Sequence, residues 1–407
     1  MPPSRILPHC LADVFGRLHG STRPVILRAL DALGAGGWLT LTEIARHWPG
    51  AERVAAPLKA VDRLLRSAPL TRDRGVLYGA MSHWLLRTSQ PLIVVDWSDL
   101  KADGRFKLLR AGLVTRGRTL TLWEEVHPEP SAGTAAVESA FLGNLARLLP
   151  AGSRPIVLSD AGFRRPWYRA VCALGWDYVG RVRGTVQTQP YAGAHVPAGG
   201  WVTCTMLHEL ALAARSRELG AYWLGRTHAL HTRLVVHAAT SRGRHAKTAK
   251  GQRRRDTTSE DAARSAKEPW VLATSLSIDD ASAVRVAKLY ARRMTIEQSF
   301  RDLKSGAFGA GFEHSLTRKG ERLANLLVLF ALVQFAAWLI GCCEEERGEG
   351  LRLGGRVTTK RRLHSIVRLG MEVLKRRAWW PPPAILRAFL RRFTRGCPPP
   401  LDSTALC

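Results

Sequence analysis

The chain has 407 residues, 46% of them hydrophobic, enough for at least one large core and for two or three domains. Its 61 Lys and Arg against 33 Asp and Glu give a formal charge of +28, which argues against an acidic or neutral binding surface and for a polyanionic partner, nucleic acid above all. Seven cysteines without a CxxC spacing argue against a zinc site or a disulfide framework and fit a reducing, cytoplasmic compartment.

Residues 1 to about 85 read as helical and basic. Charged residues from Asp13 onward interrupt any signal-peptide core. Thr40 or Thr42 is a candidate cap for a short helix in LTLTEIARH, residues 39 to 47, and Pro49-Gly50 breaks it. A second helix follows, apolar at Leu58, Val61, Leu64 and Leu65 and basic at Lys59, Arg63 and Arg66. Two short helices around a turn, the second basic, have the pattern of a helix-turn-helix, with Lys59 and Arg63 as DNA contacts.

From Leu92 the texture changes. LIVVDW is a run of branched apolar side chains with Asp96 near its end, the pattern of a central strand buried on both faces. Phe106 to Val114 and Thr119 to His127 read as two more strands around the Arg116-Gly117-Arg118 turn, and Thr134 to Leu149 as a helix. Arg154 to Asp160, RPIVLSD, repeats the first theme: an apolar strand that closes on a carboxylate. A helix near Pro166 to Leu174 and a strand from Trp176 to Arg183 follow. The order βββαβαβ, with Asp at the ends of the first and fourth strands, is that of an RNase H-like α/β fold.

Residues 184 to 269 interrupt this fold as a β-rich insertion, with strands expected at Trp201–Met206, Ala221–Gly225 and Thr232–Ala239. The insertion ends in a basic segment, Arg242 to Lys267, suited to tracking phosphates. Trp270 to Leu276 returns as a strand, and Ser277 or Asp279 is the expected cap of a long helix. Within that helix, Tyr290, Arg293, Glu297 and Lys304 fall in an arc of about 60° at 100° per residue. Beyond Gly306 the chain is helical. Leu323 to Gly341 is long and apolar enough to suggest a membrane span, but Asn325 and Gln334 interrupt it and no second span exists, so a buried core helix is expected. Glu344-Glu345-Glu346 reads as a break, and a basic helix with Lys360, Arg361, Arg362 and Lys375 to Arg377 follows it. The expected organisation is a helical DNA-binding region at 1–88, an RNase H-like catalytic domain at 89–183 and 270–310, the insertion at 184–269, and a helical C-terminal region at 311–407.

Asp96, Asp160 and Glu297 would meet in this topology at two strand ends and one helix face. Three carboxylates gathered without a cation repel one another, so the set implies a metal, and an oxygen-only donor set indicates Mg²⁺ or Mn²⁺. Such ions support in-line displacement at phosphorus by water or a 3′-hydroxyl. Arg293 and Lys304 would clamp phosphate oxygens and Tyr290 would donate to one. Asp99, Asp103, Glu124, Glu125, Asp177 and Asp302 are rival carboxylates; Asp302 lies about 140° around the helix from Glu297 and should face away.

The spacing Y-x2-R-x3-E-x6-K, met by Tyr290, Arg293, Glu297 and Lys304, resembles the signature of the insertion-sequence-4 family of bacterial DDE transposases. VVDWSDL around Asp96 and LSDAGF around Asp160 are similar to that family's other two catalytic segments. The resemblance implies an enzyme that binds terminal inverted repeats, pairs two DNA ends as a homodimer, excises the element through DNA hairpins and joins it to target DNA. It also implies that Trp270 stacks on a flipped base, that Tyr290, Arg293 and Lys304 hold the neighbouring phosphates, and that the C-terminal helices pair two subunits. A bacterial, nucleoid-associated location follows. Two other readings compete: a two-metal nuclease of the same fold, and a DNA-binding regulator derived from a transposase.

Overall fold

The structure, a computed structural model, describes residues 1–115, 117–191, 200–212, 215–238, 268–307, 309–353 and 364–394. Arg116, the basic segment 242–267 and the basic residues 360–362 lie outside the described residues. In chain order the elements are α1 (Pro3–Cys10), α2 (Ala12–Arg17), α3 (Thr22–Gly34), α4 (Leu41–Arg46), α5 (Ala55–Leu65), α6 (Ala68–Leu85), β1 (Leu92–Asp99), β2 (Phe106–Val114), β3 (Thr119–Pro128) and α7 (Ala135–Leu148). There follow β4 (Ile156–Ser159), α8 (Arg165–Ala173), β5 (Asp177–Val182), β6 (Gln187–Pro190), β7 (Val202–Thr203), β8 (Ser216–Leu224), β9 (Leu230–His237), β10 (Trp270–Thr274) and α9 (Ala283–Ala291). The last elements are α10 (Met294–Lys304), α11 (Gly320–Glu346), α12 (Gly350–Leu353), α13 (Ile366–Lys375) and α14 (Pro383–Thr394). The chain divides into two compact units, Met1–Pro155 with Met294–Cys407, and Ile156–Arg293.

In the first unit α11 is the centre of a helical layer. Its apolar stretch is the one among the described residues long enough to cross a membrane, and all of it is buried inside the protein, as expected of a core helix. Asn325, which looked like an interruption, is fully buried and satisfied: its amide donates to Leu65 O at 3.2 Å and to Thr71 Oγ1 at 3.0 Å. The polar residue therefore ties the end of α5 to the core helix. Arg322 adds an ion pair to Asp62 of α5 at 2.6 Å. The acidic run Glu344-Glu345-Glu346 is not a break but the last turn of α11, because Glu344 is buried there against Arg347 at 2.8 Å.

The same unit holds the antiparallel sheet β3-β2-β1. Ile93 to Val95 are fully buried, as a strand covered on both faces requires. Side chains alternate between faces: the Trp97 indole donates to Glu138 of α7 at 3.2 Å, while Ser98 Oγ accepts from Lys304 of α10 on the other side. Near the N-terminus, Thr40 caps α4 by accepting from Glu43 N at 3.2 Å, and α5 follows as the second of two short helices.

The second unit is a mixed sheet in the order β4-β5-β10-β9-β8-β6-β7, with β4 and β5 parallel and the other pairs antiparallel. On one face the Tyr168 ring of α8 stacks on Tyr178 at 4.6 Å and lies over Gly180. A Cβ at Gly180 would stand 2.3 Å from the Tyr168 hydroxyl, so the close approach demands glycine. The described residues of 184–269 carry β6 to β9, with two differences from expectation. Gln187–Pro190 forms β6, which its polar sequence concealed, and the expected Trp201–Met206 strand pairs only at Val202–Thr203 before a 3₁₀ turn over Cys204–Leu210. A further correction concerns the cap near α9. Ser282, and neither Ser277 nor Asp279, accepts from Arg285 N, while Ser277 closes a local turn on Asp280.

The long helix expected around Tyr290 to Lys304 is two helices. Arg292 and Arg293 form a turn, with Arg292 N bonded to Leu289 O and Arg293 N to Tyr290 O. The i→i−3 bonds tighten the chain here, where two successive arginines offer no apolar side chain to continue either buried stripe. The single 60° arc therefore does not run through the whole motif.

Candidate active site

The boundary between the two units falls after Arg293, so the motif is shared between them. Asp96, Glu297 and Lys304 belong to the first unit; Asp160, Trp270, Tyr290 and Arg293 belong to the second.

In the first unit, α10 lies on the face of the sheet onto which Asp96 projects. Ile296, Ser299, Phe300 and Leu303 are its buried stripe. Ser299 Oγ accepts from Thr119 N at 3.0 Å, and the Phe300 ring lies 5.2 Å from the Arg110 guanidinium. Arg110 is the direct cross-strand neighbour of Asp96, and Glu124 the neighbour of Arg110, so an acid-base-acid row crosses three strands on one face. Arg110 and Glu124 are almost fully buried, with Nε to Oε2 at 2.7 Å, and the Tyr78 hydroxyl donates to Glu124 at 2.6 Å. Asp96 itself is 8% exposed and accepts from the backbone N–H of Trp97 at 2.9 Å.

Lys304 Nζ donates to Ser98 Oγ at 2.7 Å, two residues along β1 from Asp96. Burial lowers the Lys304 pKa, against the nearby Asp99 charge that raises it. Glu297, seven residues earlier, lies on the same side of α10 as Lys304 and is exposed. The break at Arg292–Arg293 places Glu297 in the first turn of α10, where the helix dipole favours a carboxylate.

In the second unit, Asp160 follows the last residue of β4, half-buried, and accepts from Gly162 N at 2.8 Å. Tyr290 is buried, edge-on to the Trp270 ring at 5.1 Å. Burial raises the Tyr290 pKa; the charges of Arg293 and Arg181 pull it down, that of Asp160 pushes it up, and the Arg293 side chain hydrogen-bonds it. Asp160, Tyr290, Arg293 and Arg181 thus form one electrostatic cluster. Arg181 escaped notice in the sequence, although the pair Arg181, in β5, and Arg183, just past its end, could have marked it. Glu268 engages both, at 2.9 and 2.7 Å. Trp270 is half-buried, flanked by His237 at 5.3 Å on the neighbouring strand.

Of the rival carboxylates, Glu124 stands in the row beside Asp96, paired with Arg110, and the others have partners of their own. Asp99 pairs with Lys107, Asp302 with Arg118, and Asp103 closes a turn on Arg105 N. Glu125 accepts from Trp123 and Asn144 and pairs with His127, and Asp177 accepts from Ser275 Oγ. Lys59 and Arg63 are exposed on α5. Among the described residues no three His, Cys, Asp or Glu side chains stand close enough together to hold a metal ion.

The fold defines a class: an RNase H-like α/β protein whose mixed sheet is flanked by helices. A model of the transposase DDE domain matches residues 87–334, well over half of the chain, and the chain belongs to that family. Comparison with curated proteins gives no match. The family makes this protein a transposase with a DDE catalytic site and DNA as its partner, and DDE transposases generally use divalent metal ions.

Proposed function

We propose that the chain is an insertion-sequence-4-like transposase that binds terminal inverted repeats, excises DNA by cut-and-paste through hairpins, and transfers the freed ends to target DNA. Asp96, Asp160 and Glu297 are its three catalytic and metal-binding carboxylates. The observation that supports Asp96 and Glu297 is the placement of α10 across the Asp96 face of the sheet, with Lys304 donating to Ser98 two residues from Asp96, and Asp160 joins them through the likeness of LSDAGF to the family's catalytic segment. The donor set suits the ion: all three ligands are carboxylates, the hard oxygen donors that Mg²⁺ or Mn²⁺ takes. Carboxylates that share a site repel one another unless a cation offsets their charge. When bound, the metal supplies charge neutralisation at phosphorus and a nucleophile at neutral pH.

The chain's own side chains do the rest. Arg293 and Lys304 hold phosphate oxygens beside the scissile bond, and the Tyr290 hydroxyl, a phenol protonated at neutral pH, donates to one. Trp270 offers a ring face to a base taken out of the stack. Lys59 and Arg63 hold duplex phosphates from α5, and the C-terminal helices pair two subunits. Nicking of supercoiled plasmid with Mg²⁺ tests the reading. Asp96→Asn, Asp160→Asn and Glu297→Gln should each abolish nicking while plasmid affinity stays unchanged. Undiminished nicking by any one of them removes that residue from the site, and a supplied 3′-hydroxyl end that never joins target plasmid reduces the enzyme to a nuclease.

A further inference from the structure

Between α4–α5 and the chain that follows α10, the first unit carries an open cleft of about 830 Å³. Six basic side chains line it, Arg46, Lys59, Arg66, Arg318, Lys319 and Arg322, against two acids, Glu43 and Asp62. Both acids are already engaged, Glu43 by Arg46 at 2.7 Å and Asp62 by Arg66 and Arg322 at 3.1 and 2.6 Å. The cleft therefore faces solvent with net positive charge.

Its second wall, His314 to Lys319, holds an apolar side chain outward. Ser315 and Thr317 are 3% and 6% exposed, whereas Leu316 between them is 91% exposed. Lys101 Nζ donates to the carbonyls of both Ser315 and Thr317, the latter at 2.6 Å, and Ser315 Oγ accepts from Thr317 N. With both neighbours turned inward and their carbonyls pinned to one ammonium, extended geometry sends Leu316 to the solvent side. Upstream, the His314 ring stacks on Trp38 at 4.8 Å, and Leu39 N bonds Ala310 O at 2.8 Å. Gly311 has φ +62, and a Cβ there would approach the Trp38 ring within 2.8 Å. The wall is fixed before any ligand arrives.

A leucine so exposed on a rigid, cationic rim suits one partner in particular. Basic side chains take the phosphate backbone of a duplex, and an apolar wedge inserts at a base step. We propose that this cleft seats duplex DNA, with Arg318 and Lys319 on its phosphates and Leu316 wedged against the bases, opposite the contacts made by α5. The proposal rests on DNA as the partner.

The test uses the full chain and a fluorescein-labelled linear duplex, with affinity measured across a range of salt concentrations. Arg318→Gln with Lys319→Gln should lower the slope of log affinity against log salt by about 2, since each phosphate contact contributes about 0.9. Leu316→Ser should weaken binding by about tenfold with the slope unchanged. A benzoylphenylalanine photocrosslinker at position 316 should attach to the duplex, while one at Val76, a half-exposed position on α6, should not. An unchanged slope together with crosslinking at 316 no stronger than at 76 overturns the proposal while leaving DNA binding by the wild type standing. A wild-type chain that binds no duplex overturns both.

Discussion

Asp96 and Asp160 close two strand sequences of the same character, LIVVDW and RPIVLSD, yet the two units hold them by different means. Asp96 lies inside β1, which runs on to Asp99, and shares a sheet face with the buried Arg110 and Glu124. Asp160 comes after β4 has ended and is held by a turn, through Gly162 N. Both carboxylates accept a local backbone bond, but Asp96 does so beside a buried ion pair and Asp160 at a half-buried turn. Two acids proposed for one chemical role thus rest on supports of very different cost, one expensive to disturb and one not.

The largest expected effect breaks the costly support. Glu124→Leu leaves the Arg110 guanidinium buried without its counter-charge, and loss of one partner of a buried pair costs about 3–5 kcal/mol. Urea unfolding of this variant should show that loss. Adding Arg110→Met should recover most of it, because an apolar pair of similar volume is often close to neutral. A Glu124→Leu chain as stable as the wild type would mean that the row across β1, β2 and β3 does not support Asp96.

Much of the fold was legible in the sequence, for reasons that are local. The runs at 92–97 and 154–160 are too apolar and too branched to be anything but buried strands, and an acid that ends such a run stands out. The spacing from Tyr290 to Lys304 singles out a set of polar side chains, but periodicity counts residues and does not register where a chain changes partner. Tyr290 packs on Trp270 in one unit and Phe300 on Arg110 in the other, and only the structure shows the turn that permits both. Gln187–Pro190 was hidden because a short polar strand carries no alternation. Leu316 was hidden because a single leucine in a loop says nothing until its neighbours are seen to be buried.

An intermediate effect separates the units by pH. Five of the six tyrosines lie in the second unit, and burial raises four of them there: Tyr168, Tyr178, Tyr290 and, to about 12, Tyr222. The first unit has only Tyr78, also raised by burial. Below about pH 10 folded and unfolded tyrosines are all protonated, and their contribution to stability is fully present. As pH rises through that value toward the folded pKa values, only the unfolded chain releases the protons, so stability is lost. Buried cysteines raised to about 12 act in the same direction in both units, Cys10 and Cys343 in the first and Cys204 in the second. Hydrogen exchange followed by mass spectrometry between about pH 9 and 11 should therefore, after correction for intrinsic rate, show protection lost earlier in β5, β9 and β10 than in α11. The reverse order would mean that the aromatic packing of the second unit is not its main support.

The smallest effect sharpens the contrast between the two aspartates. In Asp160→Asn the amide oxygen still accepts from Gly162 N, and the side chain is only half-buried, so the stability change should stay within about 0.5 kcal/mol. Asp96→Asn keeps its bond from Trp97 N but takes a negative charge out of a buried row centred on Arg110. Changes at buried charged positions cost more than changes at half-exposed ones, so this variant should unfold measurably earlier than the Asp160 variant. Both should lose nicking alike, so the difference between them appears only in the melting temperature. Equal melting temperatures would show that burial beside Arg110 does nothing for Asp96 that the turn does not do for Asp160.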